Sequence, residues 1–170
     1  MIRIVMGIIM QIKKVTNNDH DWLKKVAKDE WGGEFCVFLG KKFYIHELDG
    51  FYSEDEAGKK LGFITYEIQD HFCEIMNLSA FKKFQGIGTA LLEKVIQEAK
   101  SQKCKKIIVR TTNDNLDALR FYQKKGFVIS KIYKNALDAD RKIKPSIPKI
   151  GDYGIEMRDC IELECQIVES

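Results

Sequence analysis

Apolar positions along the chain switch between alternation and three-to-four spacing, which predicts a mixture of strands and helices. Residues 11 to 16 alternate and read as a strand. Asn18 or Asp19 then stands where a helix cap is wanted. Beyond it Trp22 and Val26, and Leu23, Ala27 and Trp31, recur at four-residue spacing until Gly32-Gly33 breaks the pattern. Phe43 to Leu48 reads as a second strand, and the acidic, glycine-bearing stretch from Asp49 to Lys60 reads as a turn. Leu61–Ile68 and Phe72–Leu78 are β-runs joined by Gln69-Asp70-His71, the pattern of an antiparallel hairpin. A long helix is predicted from Ile87 to about Lys100, with Leu91, Leu92, Val95, Ile96 and Ala99 on one face. Lys106–Thr111 is β-branched enough for a central strand. A short helix over about 116–125 closes on Gly126, and Phe127 opens another strand. Residues 135 to 158 hold both prolines, Pro145 and Pro148, and read as irregular; residues 160 to 168 read as the last strand.

A chain of 170 residues suits one domain with a real core, so residues 1–170 are read as a single domain. The net charge of +3 is too small to imply a nucleic-acid partner, and the lysine pairs are scattered over the chain rather than gathered in one stripe. No apolar run reaches membrane-spanning length. Residues 1–10 are apolar but too short, and too poorly followed, for a signal peptide. They read either as an extension before initiation at Met10 or as a little more β-structure. Five cysteines, an odd number with no Cys-x-x-Cys pair, point to a reducing compartment and a cytoplasmic protein. Cys73 and Cys104 read as small buried hydrophobes. His20, His46 and His71 lie too far apart to share a metal, and no metal site is expected.

The most informative stretch is Phe81-Lys82-Lys83-Phe84-Gln85-Gly86-Ile87-Gly88-Thr89-Ala90. A strand enters it and an amphipathic helix leaves it. Glycines at such a junction let the backbone come close to a ligand. The open N–H groups of the helix start, with the helix dipole behind them, favour an anion. The chemistry read from these residues is a phosphate or pyrophosphate site. The Gly-Lys-Ser/Thr ending of a Walker A loop is missing, and so is the third glycine of a dinucleotide fingerprint. Simple helix–strand packing is the plain alternative.

A second stretch, from Thr111 to Phe127, changes the picture. Gln85-Gly86-Ile87-Gly88 and the run Asn115, Ala118, Tyr122, Gly126, Phe127 together resemble the two sequence motifs of the GNAT superfamily of acetyl-CoA-dependent N-acetyltransferases, in order and in spacing. The resemblance covers about Gln11 to Lys131 and is strongest over 78–127. One position departs from it: Lys83 stands where the family usually has Arg or Gln, and it offers a point charge rather than a planar fork. The stretches Lys144–Pro148, Gly154-Ile155, Asp159 and Ile161–Glu164 are also similar to a tail in a subset of bacterial GNAT-like proteins.

The resemblance implies an α/β fold, the acyl-CoA N-acyltransferase fold. Its mixed, mostly antiparallel, twisted sheet of six or seven strands has helices on both faces, and the cofactor lies in a splayed gap beside strand Phe72–Leu78. It implies that acetyl-CoA is the cosubstrate, bound through Leu78, Lys83, Gln85, Gly86, Ile87, Gly88, Thr89 and Ala90, with Asn115 and Tyr122 contributing. Asn115 also reads simply as an N-cap. Tyr122 is implied as proton donor to the departing thiolate, against the alternative of a core aromatic. Glu74 lies among apolar neighbours by two-residue alternation with Phe72, Met76 and Leu78, and is the candidate general base; the alternative is an exposed ion-pair partner. Direct acetyl transfer to a primary amine of a small molecule or peptide follows, with no metal and no acetyl-enzyme. A non-catalytic acyl-CoA sensor or interaction module is the rival function. The segment 136–158, with Glu156 and Asp159 to attract an amine, is expected to help form the acceptor site, since long irregular loops in compact domains are usually functional. The oligomeric state stays open, a homodimer included.

Overall fold

The structure is a computed structural model that describes residues 2–5, 8–82 and 85–168. In chain order its strands are β1 (Ile2–Val5), β2 (Ile8–Lys14), β3 (Cys36–Phe38), β4 (Lys41–Phe43), β5 (Asp49–Asp55), β6 (Lys60–Gln69), β7 (Phe72–Ala80), β8 (Lys106–Thr112), β9 (Val128–Tyr133) and β10 (Cys160–Gln166). The helices are α1 (His20–Trp31), α2 (Ile87–Ser101), α3 (Leu116–Lys124) and α4 (Ala136–Ile143). They form two compact units, one of residues 1–21, 46–107 and 167–170, the other of 22–45 and 108–166.

In the first unit the strands run in the order β1-β2-β5-β6-β7, each antiparallel to its neighbour. Helix α2 packs on β5, β6 and β7. It does so because Ile87, Leu91, Leu92, Val95 and Ala99 fall on one stripe, and all of them are buried. Near the N-terminus β1 pairs with β2 through Ile2↔Gln11 and Ile4↔Ile9.

The second unit carries the order β8-β10-β9, with β9 antiparallel to β10, and a separate β3–β4 hairpin. Its buried side chains include Leu23, Val26, Val109, Tyr122, Phe127, Leu137 and Leu163.

Three stretches differ from the pattern reading. The acidic stretch after Asp49 is not a turn but the strand β5, paired on both sides. Phe51 and Tyr52 are buried, and Glu54 ion-pairs with Lys13 across the sheet, so packing overrides the turn-like composition. Phe43–Leu48 is not one strand: β4 ends at Phe43, and Ile45–Glu47 is a single 3-10 turn. The pairing lies earlier because Leu39 and Gly40 take positive φ and fold β3 back onto β4. Finally, the segment 136–158 is not wholly irregular, because α4 occupies its first third. Leu137 and Asp140 bury one side of α4, and the Asp140 carboxylate accepts hydrogen bonds from the N–H groups of Leu39 (3.2 Å) and Gly40 (2.7 Å). Pro145, just beyond the end of α4, cannot continue the helix.

Candidate active site

In the first unit the junction between β7 and α2 has the form that anion binding asks for. Gly86 sits at φ 72°, ψ 0°, a left-handed conformation that glycine adopts without steric cost, and no side chain caps the helix. The first intrahelical bond runs from the Ala90 N–H to the Gly86 carbonyl at 3.0 Å. The N–H groups of Ile87, Gly88 and Thr89 therefore precede the helical ladder and point out along the axis. The side chains of Ile87 and Ala90 are both 1% exposed and anchor the turn, leaving their main chain to do any binding. Gly62 on β6 makes room for this turn. A Cβ there would lie 2.5 Å from the Ser79 carbonyl oxygen and 3.0 Å from Ile87 Cγ2.

Gln85 Oε1 is buried with no hydrogen-bond partner among the described residues. Turning the amide over would put an N–H donor in its place. Gln85 itself is half-buried, and a polar side chain next in sequence to a row of open N–H groups suits a diphosphate group. Lys82 is exposed nearby in sequence, and Lys83 lies outside the described residues.

The hairpin β6–β7 is interrupted by a bulge. Thr65 pairs with Asn77 but Tyr66 pairs with Ile75, which leaves Met76 without a partner in the register. One extra residue moves everything beyond it to the opposite face. Glu74 consequently does not share a face with Leu78, against what strict alternation predicts. It lies opposite Glu67, on the face of the Thr65–Asn77 and Phe63–Ser79 pairs, and is 9% exposed. Thr65 donates to Asn77 Oδ1 at 3.2 Å, and Glu67 accepts from Gln69 Nε2 at 3.0 Å. Leu78 pairs with Ile64 on the other face, the one that α2 covers.

In the second unit, α3 carries Asn115 at its N-cap, where Oδ1 accepts from the Ala118 N–H at 3.0 Å. The N-cap reading is thus realised, and the Asn115 amide nitrogen is left for other use. Tyr122 is 4% exposed between Phe121 and Phe127, whose rings meet it edge-on at 5.1 Å and 5.3 Å. Burial pushes its phenol above the ordinary tyrosine range, so it keeps its proton through neutral pH.

The residues expected to meet an acceptor differ in character. Glu156 is exposed, and its main chain bridges to Ile150. Asp159 is 8% exposed and its carboxylate accepts from the Asn135 N–H (2.9 Å) and from Arg158 Nη2 (2.9 Å). The Arg158 hydrogen bond, then the one from Asn135, hold its carboxyl below the usual range. The pattern reading missed the residues that hold this segment: Asn113, Asp114 and Gly151. Asn113-Asp114 directly before a capping Asn115 was the available signal, and it was absorbed into the motif. Glu162 was missed as well. Burial pushes its carboxyl up, but hydrogen bonds from Tyr133 (3.0 Å) and Arg110 (2.8 Å) outweigh that and hold it low. Among the described residues no helix is long and apolar enough to cross a membrane.

Comparison with known proteins bears on the family and the fold. The family model described as "Acetyltransferase (GNAT) family" matches residues 16–127. The uncharacterized protein YdhI of Bacillus subtilis is 41% identical over 129 residues, covering 76% of this chain and 81% of that one. A GNAT family acetyltransferase from Elizabethkingia anophelis, solved with acetyl-CoA bound, is 26% identical with a TM-score of 0.66, covering 93% and 98% of the two chains. An IAA acetyltransferase from Bacillus cereus shares the fold with a TM-score of 0.71 at 23% identity, covering 93% and 99%.

Proposed function

Since the chain belongs to the acetyltransferase (GNAT) family, we propose that it moves an acetyl group from acetyl-CoA directly onto a primary amine in a ternary complex. Acetyl transfer and the acyl-CoA N-acyltransferase fold are the family's; the direct route and the amine are the proposal. The observation that carries it is the start of α2, where Gly86 opens the helix and three N–H groups stand ahead of the first helical bond. Acetyl-CoA supplies an activated thioester.

The main chain from Gln85 to Thr89 is proposed to hold its pyrophosphate by N–H donation at the positive end of the helix, while the Ala90 N–H, expected to join them, is already given to the Gly86 carbonyl. Lys83 is proposed to add charge there, and Leu78 to line the acyl arm. Asn115 keeps an N–H donor for the pantetheine arm while its oxygen caps α3. Tyr122 is proposed to give its proton to the departing thiolate, and Glu74 to take one from the incoming ammonium, directly or through water. Burial pushes Cys73 up to about 12 and raises Cys104 too. Such thiols stay protonated and suit packing better than attack, which supports transfer without an acetyl-enzyme.

We place the reaction in the cytoplasm, on the odd cysteine count. The acceptor is proposed to be a small molecule or a peptide terminus. Glu156 is the exposed acid offered to its ammonium, and Asp159 shapes the same segment.

The test is thiol release from acetyl-CoA with spermidine, an aminoglycoside, a small aromatic amine and a peptide with a free N-terminus. At least one amine should accelerate release well above the rate without amine. CoA binding with no acceleration by any of the four would favour the sensor reading instead.

A further inference from the structure

The turn between β8 and α3 faces two ways. Asn115 caps α3, but the two residues before it are turned toward the chain's later segment. The Asn113 side chain accepts from the N–H groups of Arg158 and Asp159, both at 2.9 Å, and donates from Nδ2 to the Glu156 carbonyl at 2.9 Å. Its main-chain N–H adds a bond to the Asp159 carbonyl at 3.0 Å. One residue thus makes four hydrogen bonds to three residues of the later segment, Glu156, Arg158 and Asp159, every one to main chain.

Asp114 holds the same segment a few residues earlier. Its Oδ2 accepts from the Asp152 N–H at 2.9 Å. Gly151 lies so close that a Cβ there would be 2.0 Å from that oxygen. Asp114 is only 3% exposed, and its other oxygen, Oδ1, is buried with no partner among the described residues. A buried acceptor left without a donor is destabilising. A plain surface turn does not need such an arrangement.

We propose that Asn113 and Asp114 are positioning residues that lock residues 151–159 to the first turn of α3, so that cofactor binding at α3 is felt by the acceptor-side segment. This rests on the reading of Asn115 and Tyr122 as cofactor residues and of 136–158 as acceptor-side. The physical route is short. Asn113, Asp114 and Asn115 are consecutive, so fixing the Asn115 amide on a ligand restrains the backbone from which the other two side chains spring. A segment held by main-chain bonds to those side chains opens less often when its anchors are still. The coupling is a free energy between sites, readable in either direction.

The test is amide hydrogen exchange with and without CoA, in the wild type and in Asn113→Ala, Asp114→Ala and Asp114→Asn. In the wild type CoA should slow exchange at Gly86–Ala90 and also at Asp152, Arg158 and Asp159, the latter by about tenfold, within the usual scale of site-to-site coupling. In Asn113→Ala the protection at Arg158 and Asp159 should fall below about twofold while that at Gly86–Ala90 persists. Asp114→Asn keeps an oxygen for the Asp152 N–H and should retain the effect that Asp114→Ala loses; these two carry the test if Asn113→Ala fails to fold.

Protection at Gly86–Ala90 that never extends to 151–159 in the wild type overturns the proposal and leaves the acetyltransferase reading standing. Undiminished protection at 151–159 in Asn113→Ala overturns it too. Absence of any CoA protection in the wild type overturns both.

Discussion

Tyr122 is a packing residue whose hydroxyl is proposed to do chemistry as well. Its ring closes the space between Phe121 and Phe127, as a core aromatic does. Its hydroxyl is the only part that a Phe substitution removes. Burial raises the phenol, so the proton is present at every working pH, and a change in rate with pH near neutrality does not come from this residue. Tyr122→Phe should lower kcat by about a hundredfold, the lower end for loss of a positioned acid, while the acetyl-CoA KM moves less than about twofold. Steady-state kinetics with the best amine of the panel decides it. An unchanged kcat would make Tyr122 a packing residue alone. The motif made Tyr122 legible in the sequence, because its spacing from Asn115 and Gly126 was distinctive. Asn113, Asp114 and Glu162 were not legible. Each acts on residues tens of positions away, and nothing local marks a side chain whose partners are distant in sequence.

Among elements, α2 is the clearest case of sequence and structure agreeing, since its stripe is regular and its start carries glycine. Strand β7 is the instructive failure. Period-two counting puts Glu74 on one face with Leu78, and a single bulge at Met76 undoes that. A bulge has no composition of its own; the partner strand creates it. Strand β5 was lost for the opposite reason, because acidic residues that form cross-sheet ion pairs look in sequence like a solvated turn. The assignment of α2 is open to a direct test. Gly88 is the second residue of the helix, and Val there carries no propensity penalty relative to Gly. Gly88→Val should therefore fold. Its branched side chain would stand over the N–H row and cost at least one charge-assisted hydrogen bond, about 2–3 kcal/mol or roughly a hundredfold in CoA affinity. Calorimetry on the folded variant gives the answer. Unaltered affinity would remove the N-terminus of α2 from the cofactor site.

At the scale of the whole molecule, the fold class was readable because hairpin, helix and β-branched run follow one another in a sequence-local way. The β3–β4 hairpin and α4 were not, because they are held by contacts such as Asp140 to Leu39 and Gly40, about a hundred positions apart. The same distinction applies to binding. The proposed diphosphate cradle, made of consecutive main-chain groups, would exist only in the folded chain, since unfolding scatters its N–H donors. CoA and acetyl-CoA should accordingly bind the native state and not the unfolded one, and stability should rise with ligand concentration. At a hundred times Kd the gain is about 2.7 kcal/mol. For a chain of 170 residues, each kcal/mol moves Tm by about 2–4 °C. A shift of about 8 °C is therefore expected in a thermal melt with saturating CoA, growing with the logarithm of concentration. Gly88→Val should need roughly a hundredfold more CoA for the same shift, whereas Tyr122→Phe should follow the wild type. A melt that CoA leaves unmoved at any concentration would count against the cofactor assignment as a whole, because no choice of acceptor amine enters the measurement.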